Sequence, residues 1–277
     1  MKRTILLPTD FSDNAWSAAV YALKLYAEEP CTFYFIHSID MKVSAMSSMS
    51  SKLSRVMAEQ ASKDLDKLKA AAKEISTNPD HHFETVLSSL ELIDAMDVEI
   101  EKSKIDLIIM GTKGATKGKE IVFGSNTVNL IKKVKKCPIL VVPDKFDYVN
   151  PDKIAFPTDF SRFYGDEITA LQELAKLHNS KIKIVHINKK DELSESQDYH
   201  LDQLKAALKD YPHSFHWVPG DGKKDKVIRD FIEEFNINIL VMINYKHSFI
   251  ENIVKEPVIK NLGFHPTIPF LVIPCLG

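Results

Sequence analysis

The residues best placed for chemistry lie in one loop, "GTKGATKGKEIVFGSN", Gly111 to Asn126, which holds four of the chain's nine glycines. The spacing is Gly111, two residues, Gly114, nine residues, then Gly124-Ser125. An apolar run precedes the loop and a helical pattern follows it. Gly111 lets the chain turn off a strand, and Gly114 lets backbone N–H groups approach an anion with no Cβ in the way. A helix starting near Ser125 adds free N–H groups, and the Ser125 and Thr127 hydroxyls can face the same anion. Lys113, Lys117 and Lys119 add positive charge. The plainer reading is a surface loop with an N-capping serine. Placement between a buried strand and a helix favours a cradle for a phosphate chain.

Two better-known phosphate loops do not fit. A P-loop needs four residues between its glycines and Ser or Thr after the Lys. Only three lie between Gly114 and Gly118, and Glu120 follows Lys119. The GxGxxG dinucleotide fingerprint is absent, and it would sit after a first strand rather than a fourth. Other chemistry finds less support. The ten histidines form no HExxH or Cys/His cluster, and His213 and His216 fall on opposite faces of a strand. Ser12 and Cys137 lack a recognisable base and orienting partner. His37 and His186 read as packed or hydrogen-bonded. "KKVKK", Lys132 to Lys136, reads as the solvated end of a helix. The Met/Ser segment Met41–Met57 reads as a linker to a second helix, with a mobile partner-binding loop as the alternative.

The elements that carry this loop occur twice. "ILLPTDFS" ends at Ser12 and "IAFPTDFS" at Ser161, an offset of 149 residues that also carries His37 onto His186. "IDLIIMGTKG" aligns with "INILVMINYK", Met110 on Met242, at an offset of 132. "CPILVVP" and "IPFLVIP" close the two copies, and "DKFDYVNPD" links them. A repeat this long means two domains, over 1–144 and 152–277. Within the first copy, "TILLP", "TFYFIHS", "HFETVL", "DLIIMG" and "PILVVP" are short apolar runs. Helical spacing covers Ala15–Glu28, Met57–Ile75, Leu90–Ser103 and Asn126–Val134. Apolar strands alternating with helices predict an α/β fold, a parallel sheet covered on both faces. Ligands of such sheets bind beyond the carboxyl ends of strands, where the strand order reverses. "PTD" after the first strand and "GTKG" after the fourth then become neighbours.

Gly-x2-Gly-x9-Gly-Ser together with "PTDFS" resembles the ATP-binding branch of the universal stress proteins, and the resemblance covers essentially the whole chain as two tandem domains. It implies two Rossmann-like, adenine-nucleotide alpha-hydrolase-like domains, each a five-stranded parallel sheet in the order 3-2-1-4-5 with helices on both faces. It implies ATP across the first and fourth strand ends, with Mg²⁺ admissible through the phosphates and water. By position, Asp10, beside Pro8 and Thr9, would contact the adenosine, and Ser38 would meet the adenine edge. Met110 and Gly111 would flank the ribose. Lys113, Gly114, Gly124, Ser125, Asn126 and Thr127 would hold the phosphates. One departure is Ser88-Ser89-Leu90, where family members often carry a Gly-x-Pro turn. Family dimers often pair their last strands, so "CPILVVP" and "IPFLVIP" are expected to join the two domains as an internal pseudo-dimer; further homo-oligomers are open.

The second copy keeps Thr158, Asp159 and His186, but its loop has no glycine from Ile243 to Asn261 and brings in Glu251 and Glu256. Its nucleotide site is expected to be degenerate. The net charge of −2 gives no field for nucleic acid or an anionic membrane. No apolar run approaches the roughly 20 residues of a membrane helix. "MKRTILLPTD" reads as a first strand, not a signal peptide. Three scattered cysteines without CxxC point to a reduced, cytoplasmic protein. The expected function is ATP binding by the N-terminal domain of a nucleotide-dependent stress sensor or regulator, acting on an unknown protein partner. The rivals are a slow ATPase or nucleotidyl-transferring enzyme and an interaction module with structural nucleotide. No general base stands beside the loop, so hydrolysis is expected to be absent or slow.

Overall fold

The computed structural model describes residues 2–39, 51–112, 124–188, 192–219, 224–245 and 267–275. The chain divides into two compact units, Met1–Tyr148 and Val149–Gly277. The first runs β1 (Arg3–Pro8), α1 (Asp13–Leu25), β2 (Cys31–Ser38), α2 (Ser51–Ile75), β3 (His82–Ser88), α3 (Leu92–Ser103), β4 (Leu107–Gly111), α4 (Ser125–Lys133) and β5 (Ile139–Val142). All pairings are parallel, in the order β3-β2-β1-β4-β5. The second runs β6 (Lys153–Pro157), a 3-10 turn (Gly165–Glu167), α5 (Ile168–Leu177), β7 (Lys181–Asn188), α6 (Glu195–Leu208), β8 (His213–Pro219), α7 (Lys224–Phe235), β9 (Ile239–Asn244) and β10 (Phe270–Pro274). Its pairings give β8-β7-β6-β9-β10, the same 3-2-1-4-5 order.

The apolar runs explain the sheets. Ile5, Leu6 and Ile108 are fully buried, and so are Ile154 and Ile239 at the matching central strands. Residues buried on both faces need a helix layer on each side, and each such side chain contributes about 1.5–3 kcal/mol by burial. The chain supplies α1 through a serine N-cap: Ser12 Oγ accepts from the Ala15 amide. Buried residues of α1 include Asn14, Ala18, Ala22 and Leu25, an inward stripe in which only Asn14 is polar.

Two boundaries depart by six residues, one from the expected spacing and one from the first copy. Helix α2 begins at Ser51, ahead of the expected Met57. Leu53, Val56 and Met57 are about half exposed, so this end has no inward apolar stripe; that begins with Ala61 and Leu65. The Arg55–Glu59 ion pair is one local i,i+4 contact supporting these turns. The segment 40–50, read as a linker, lies outside the described residues. In the second unit, α5 starts at Ile168, six residues later than α1 does in its own copy. The turn that replaces the missing helix contains Arg162, Phe163 and Tyr164, whose contacts matter below. Among the described residues, no helix is long and apolar enough to cross a membrane.

Candidate functional site

The "PTDFS" segments form the same tight turn in both units. Phe11 has φ 63° and Phe160 φ 53°, a left-handed backbone that a bulky residue adopts only under constraint. The preceding side chains supply that constraint. Thr9 Oγ1 accepts from the Phe11 amide at 3.0 Å, and Asp10 Oδ1 from the Ser12 amide at 3.1 Å. Thr158 and Asp159 do the same for Phe160 and Ser161, each at 3.0 Å. Beneath the turn, His37 Nδ1–H donates to the Thr9 carbonyl at 2.8 Å, and His186 to Thr158 at 2.9 Å. Each ring packs on the strained phenylalanine, with centroids at 4.4 and 4.7 Å. The histidines are therefore packed and hydrogen-bonded, as their repeated position suggested. Burial holds His186 below the usual imidazole range, so it is neutral near pH 7.

In the first unit this turn lies at the reversal of strand order. From β1 the sheet extends to β2 on one side and to β4 on the other, with Ile5 opposite Leu107 and Leu6 opposite Ile108. Pro8, Thr9 and Asp10 leave the end of β1, and Met110 and Gly111 end β4 beside them. Pro8, Met110 and Gly111 are buried, while Asp10 is exposed. Helix α4 then opens with Gly124 as its cap residue and with no side chain capping it. The first turn's N–H groups, from Ser125 to Thr127, have no partner within the helix, and Ser125 and Asn126 are exposed. Thr127 differs from its expected role. It is buried, and its hydroxyl reaches the carbonyls of Gly111 at 3.3 Å and Thr112 at 3.2 Å, tying α4 to the strand end. The Gly124 amide donates to Thr112 as well. Ser125 and Asn126 thus remain as the outward-facing residues of that turn. Lys113 and Gly114 lie outside the described residues.

Ser38 ends β2, beside the last residue of β3, Ser88, and its hydroxyl donates to the Leu90 carbonyl. Ser88 Oγ in turn accepts from the Leu90 amide at 3.1 Å. These two bonds hold the Ser88-Ser89-Leu90 exit without the glycine and proline the family often uses there.

One residue escaped the sequence reading. A Cβ built on Gly111 would stand 2.7 Å from three side-chain atoms of Asn14. Gly111 is therefore required by Asn14 as much as by the turn. The sequence signal was a polar residue on the inward stripe of α1. In the second unit the corresponding positions are Phe163, which is exposed, and Ile243, which is buried.

The matching region of the second unit is filled by its own side chains. Tyr245, at the position of Lys113, donates its hydroxyl to Asp159 Oδ1 at 3.0 Å. The Arg162 guanidinium lies 5.2 Å from the centre of the Tyr245 ring and contacts the Cys275 sulfur at 2.9 Å. It also bonds both oxygens of buried Glu167, each at 2.8 Å. Gln197 of α6 holds the Asp159 carbonyl at 2.8 Å. Burial acts against the charged form of Asp159, but Ser161, Tyr245 and the Lys224 charge outweigh it and hold the carboxyl below its usual range. That contribution to stability is present above the unfolded value of about 3.9 and drains away as pH falls through the folded one. Tyr245→Phe should therefore cost about 1–2 kcal/mol near neutral pH, with the difference from the parent chain shrinking as pH falls below the unfolded carboxyl value of about 3.9. Urea melts at the two pH values measure it.

The remaining reactive groups find structural explanations. Ser12 caps α1 and donates to Asp10. Burial pushes the Cys31 and Cys137 thiols up to about 12, so neither is a thiolate near neutral pH. Among the described residues, no group of three His, Cys, Asp or Glu could hold a metal ion.

Residues 1–143 match the model of the Universal stress protein family. Two universal stress proteins of Methanocaldococcus jannaschii are similar to this chain. One is 32% identical over 143 residues, spanning 50% of this chain and 81% of its own length. The other is 35% identical over 158 residues, spanning 52% and 97%. Among solved structures, a universal stress protein from Archaeoglobus fulgidus superposes with a TM-score of 0.69 at 17% identity, covering 98% of this chain and 96% of that one; this likeness concerns the fold. With the strand order, the strand-end turn and a matching family model together, the chain belongs to the universal stress protein family.

Proposed function

We propose that the first unit binds ATP at the C-terminal ends of β1, β2 and β4 and reports nucleotide availability to a protein partner. The observation that carries this reading is the uncapped start of α4 directly behind the Gly111–Asn14 contact, at the point where the strand order reverses. First-turn N–H groups with no partner inside the helix, and the positive helix end, suit a phosphate chain. Asp10 and Ser38 stand on the adenosine side, and Ser125 and Asn126 on the phosphate side. Lys113 and Gly114 complete the phosphate cradle by the spacing of the sequence. Mg²⁺ would be held through the phosphates and water.

The second unit is read as a scaffold without nucleotide. Two of the three cysteines are buried thiols, which suits a reducing compartment such as the cytoplasm. The described groups at the first site suit the positioning of a nucleotide, and no recognisable general base stands among them. ATP turnover is expected far below the median enzyme value of about 10 s⁻¹. Mass spectrometry of the small molecules released on denaturing the purified chain should find an adenine nucleotide, and calorimetry should find one ATP site per chain. A purified chain that releases no nucleotide and binds no added ATP rejects the proposal. Turnover near the median value would convert it into an ATPase.

A further inference from the structure

The other face of the second sheet carries an unusual cluster. Lys153 pairs in register with Lys181, Ala155 with Lys183, Lys183 with Ser214, and Val185 with His216. Strand alternation sets the three lysines and His216 on one face. The first copy has Thr4, Thr32 and Tyr34 where the second has these lysines. A lysine in the middle of a covered parallel strand runs against the apolar pattern of such sheets. Lys183 is 9% exposed. Its Nζ lies 4.4 Å from the centre of the Phe235 ring and 3.5 Å from His216 Nε2. Among the described residues, no carboxylate forms an ion pair with it. Lys153 Nζ is close by, donating to the Phe235 carbonyl at 3.1 Å. His216 packs against Phe231 and Phe235 and exchanges a hydrogen bond with Ser214 at 2.9 Å. Lys181 and Glu234, both exposed, are the other charges that act on this group.

We propose that Lys183 is an amine that reacts with carbon dioxide, and that Lys153 and Lys181 stabilise the resulting carbamate. The Nζ lone pair bonds to the carbon of CO2, and one C–O π pair moves onto oxygen. The N–H proton passes to His216 Nε2 and then to water. No oxidant or leaving group is needed. Three features select this reagent. CO2 is small and uncharged, so it can reach a largely buried amine. The reaction replaces an ammonium that feels the charges of two others with an anion near both, turning repulsion into attraction. His216 supplies a proton acceptor at the reacting nitrogen. Burial first, then the Lys181 and Lys153 charges, lowers the Lys183 pKa, and burial with the neighbouring lysines lowers that of His216. Both shifts favour the neutral forms that the reaction uses.

The test uses the full chain in carbon-13 bicarbonate, from about pH 6.5 to 8.5, across which the neutral amine fraction rises. A carbamate resonance should grow with pH, fall in Lys183→Arg, and weaken in Lys153→Met and Lys181→Met. Trapping by O-alkylation, followed by peptide mass spectrometry, should place several-fold more label on Lys183 than on exposed Lys205 of the same unsubstituted chain. That comparison needs no variant, so a poorly folding substitution does not block it. Equal or lower labelling of Lys183 overturns the proposal, as does a resonance unchanged in Lys183→Arg.

Discussion

Gly114→Val together with Gly124→Val is expected to raise the ATP dissociation constant of the full chain by at least about 100-fold, or roughly 2.7 kcal/mol. The two positions act differently. Gly114 is the one at which the spacing calls for a bare backbone close to phosphate. Gly124 starts α4 in an extended conformation, φ −63° and ψ 157°, that other residues also tolerate. A valine there keeps the fold but crowds the first-turn amides with a branched side chain. Asp159→Ala should leave ATP affinity nearly unchanged, because that carboxylate serves a turn and Tyr245 in the other unit. Calorimetry on the three chains separates the outcomes. Full affinity in the double variant would remove the loop as the cradle, and two equivalent sites on the unsubstituted chain would remove the asymmetry.

Arg162→Ala should destabilise the second unit by about 2–3 kcal/mol. Glu167 is almost wholly buried and meets the guanidinium through both oxygens, while Arg162 is about a quarter exposed. Removing one partner of a buried pair typically costs about 3–5 kcal/mol, and partial solvent access reduces that figure here. Arg162→Lys should restore little, since one ammonium cannot reach at once the Phe163 carbonyl, the Cys275 sulfur and Glu167, which Arg162 meets through Nε, Nη1 and Nη2, or reproduce the guanidinium's place against the Tyr245 ring. Arg162→Ala with Glu167→Gln should recover part of the loss by removing the buried charge. Denaturant melts of the four chains measure these differences. A single variant within about 0.5 kcal/mol of the parent would show that the pair is merely a surface contact.

The legible part of this molecule was whatever repeats at short range. The five apolar runs of the first copy became strands because burial on two faces leaves little choice of residue, and "PTDFS" marked the same turn twice. The second copy keeps it although its nucleotide site was expected to be degenerate, and the turn itself accounts for Thr158 and Asp159. Their side chains hold Phe160 in a left-handed backbone. The expected obstacles in the second copy were a glycine-free loop from Ile243 and the two glutamates, Glu251 and Glu256, which lie outside the described residues. Among the described residues, Tyr245 and Arg162 fill the region through contacts across 83 positions of sequence. No periodicity reports such pairs. Asn14 was hidden for the same reason, since its neighbour Gly111 lies 97 residues further on. The early start of α2 was hidden because its first apolar residues face water.

The Gly111–Asn14 contact also bears on how a lost site could be rebuilt. With 2.7 Å between a would-be Cβ and the asparagine, the two positions form one unit of change. In the second copy, Ile243→Gly alone would open a cavity in the core, and Phe163 is exposed in a turn ahead of a helix that starts only at Ile168, so Phe163→Asn alone supplies no inward amide. In the first copy a larger residue at Gly111 is disfavoured as long as Asn14 stays, which is epistasis written into a strand end. Giving the second copy the first copy's arrangement therefore takes the helix start as well as the glycine, and the divergence of the two halves behaves as a ratchet.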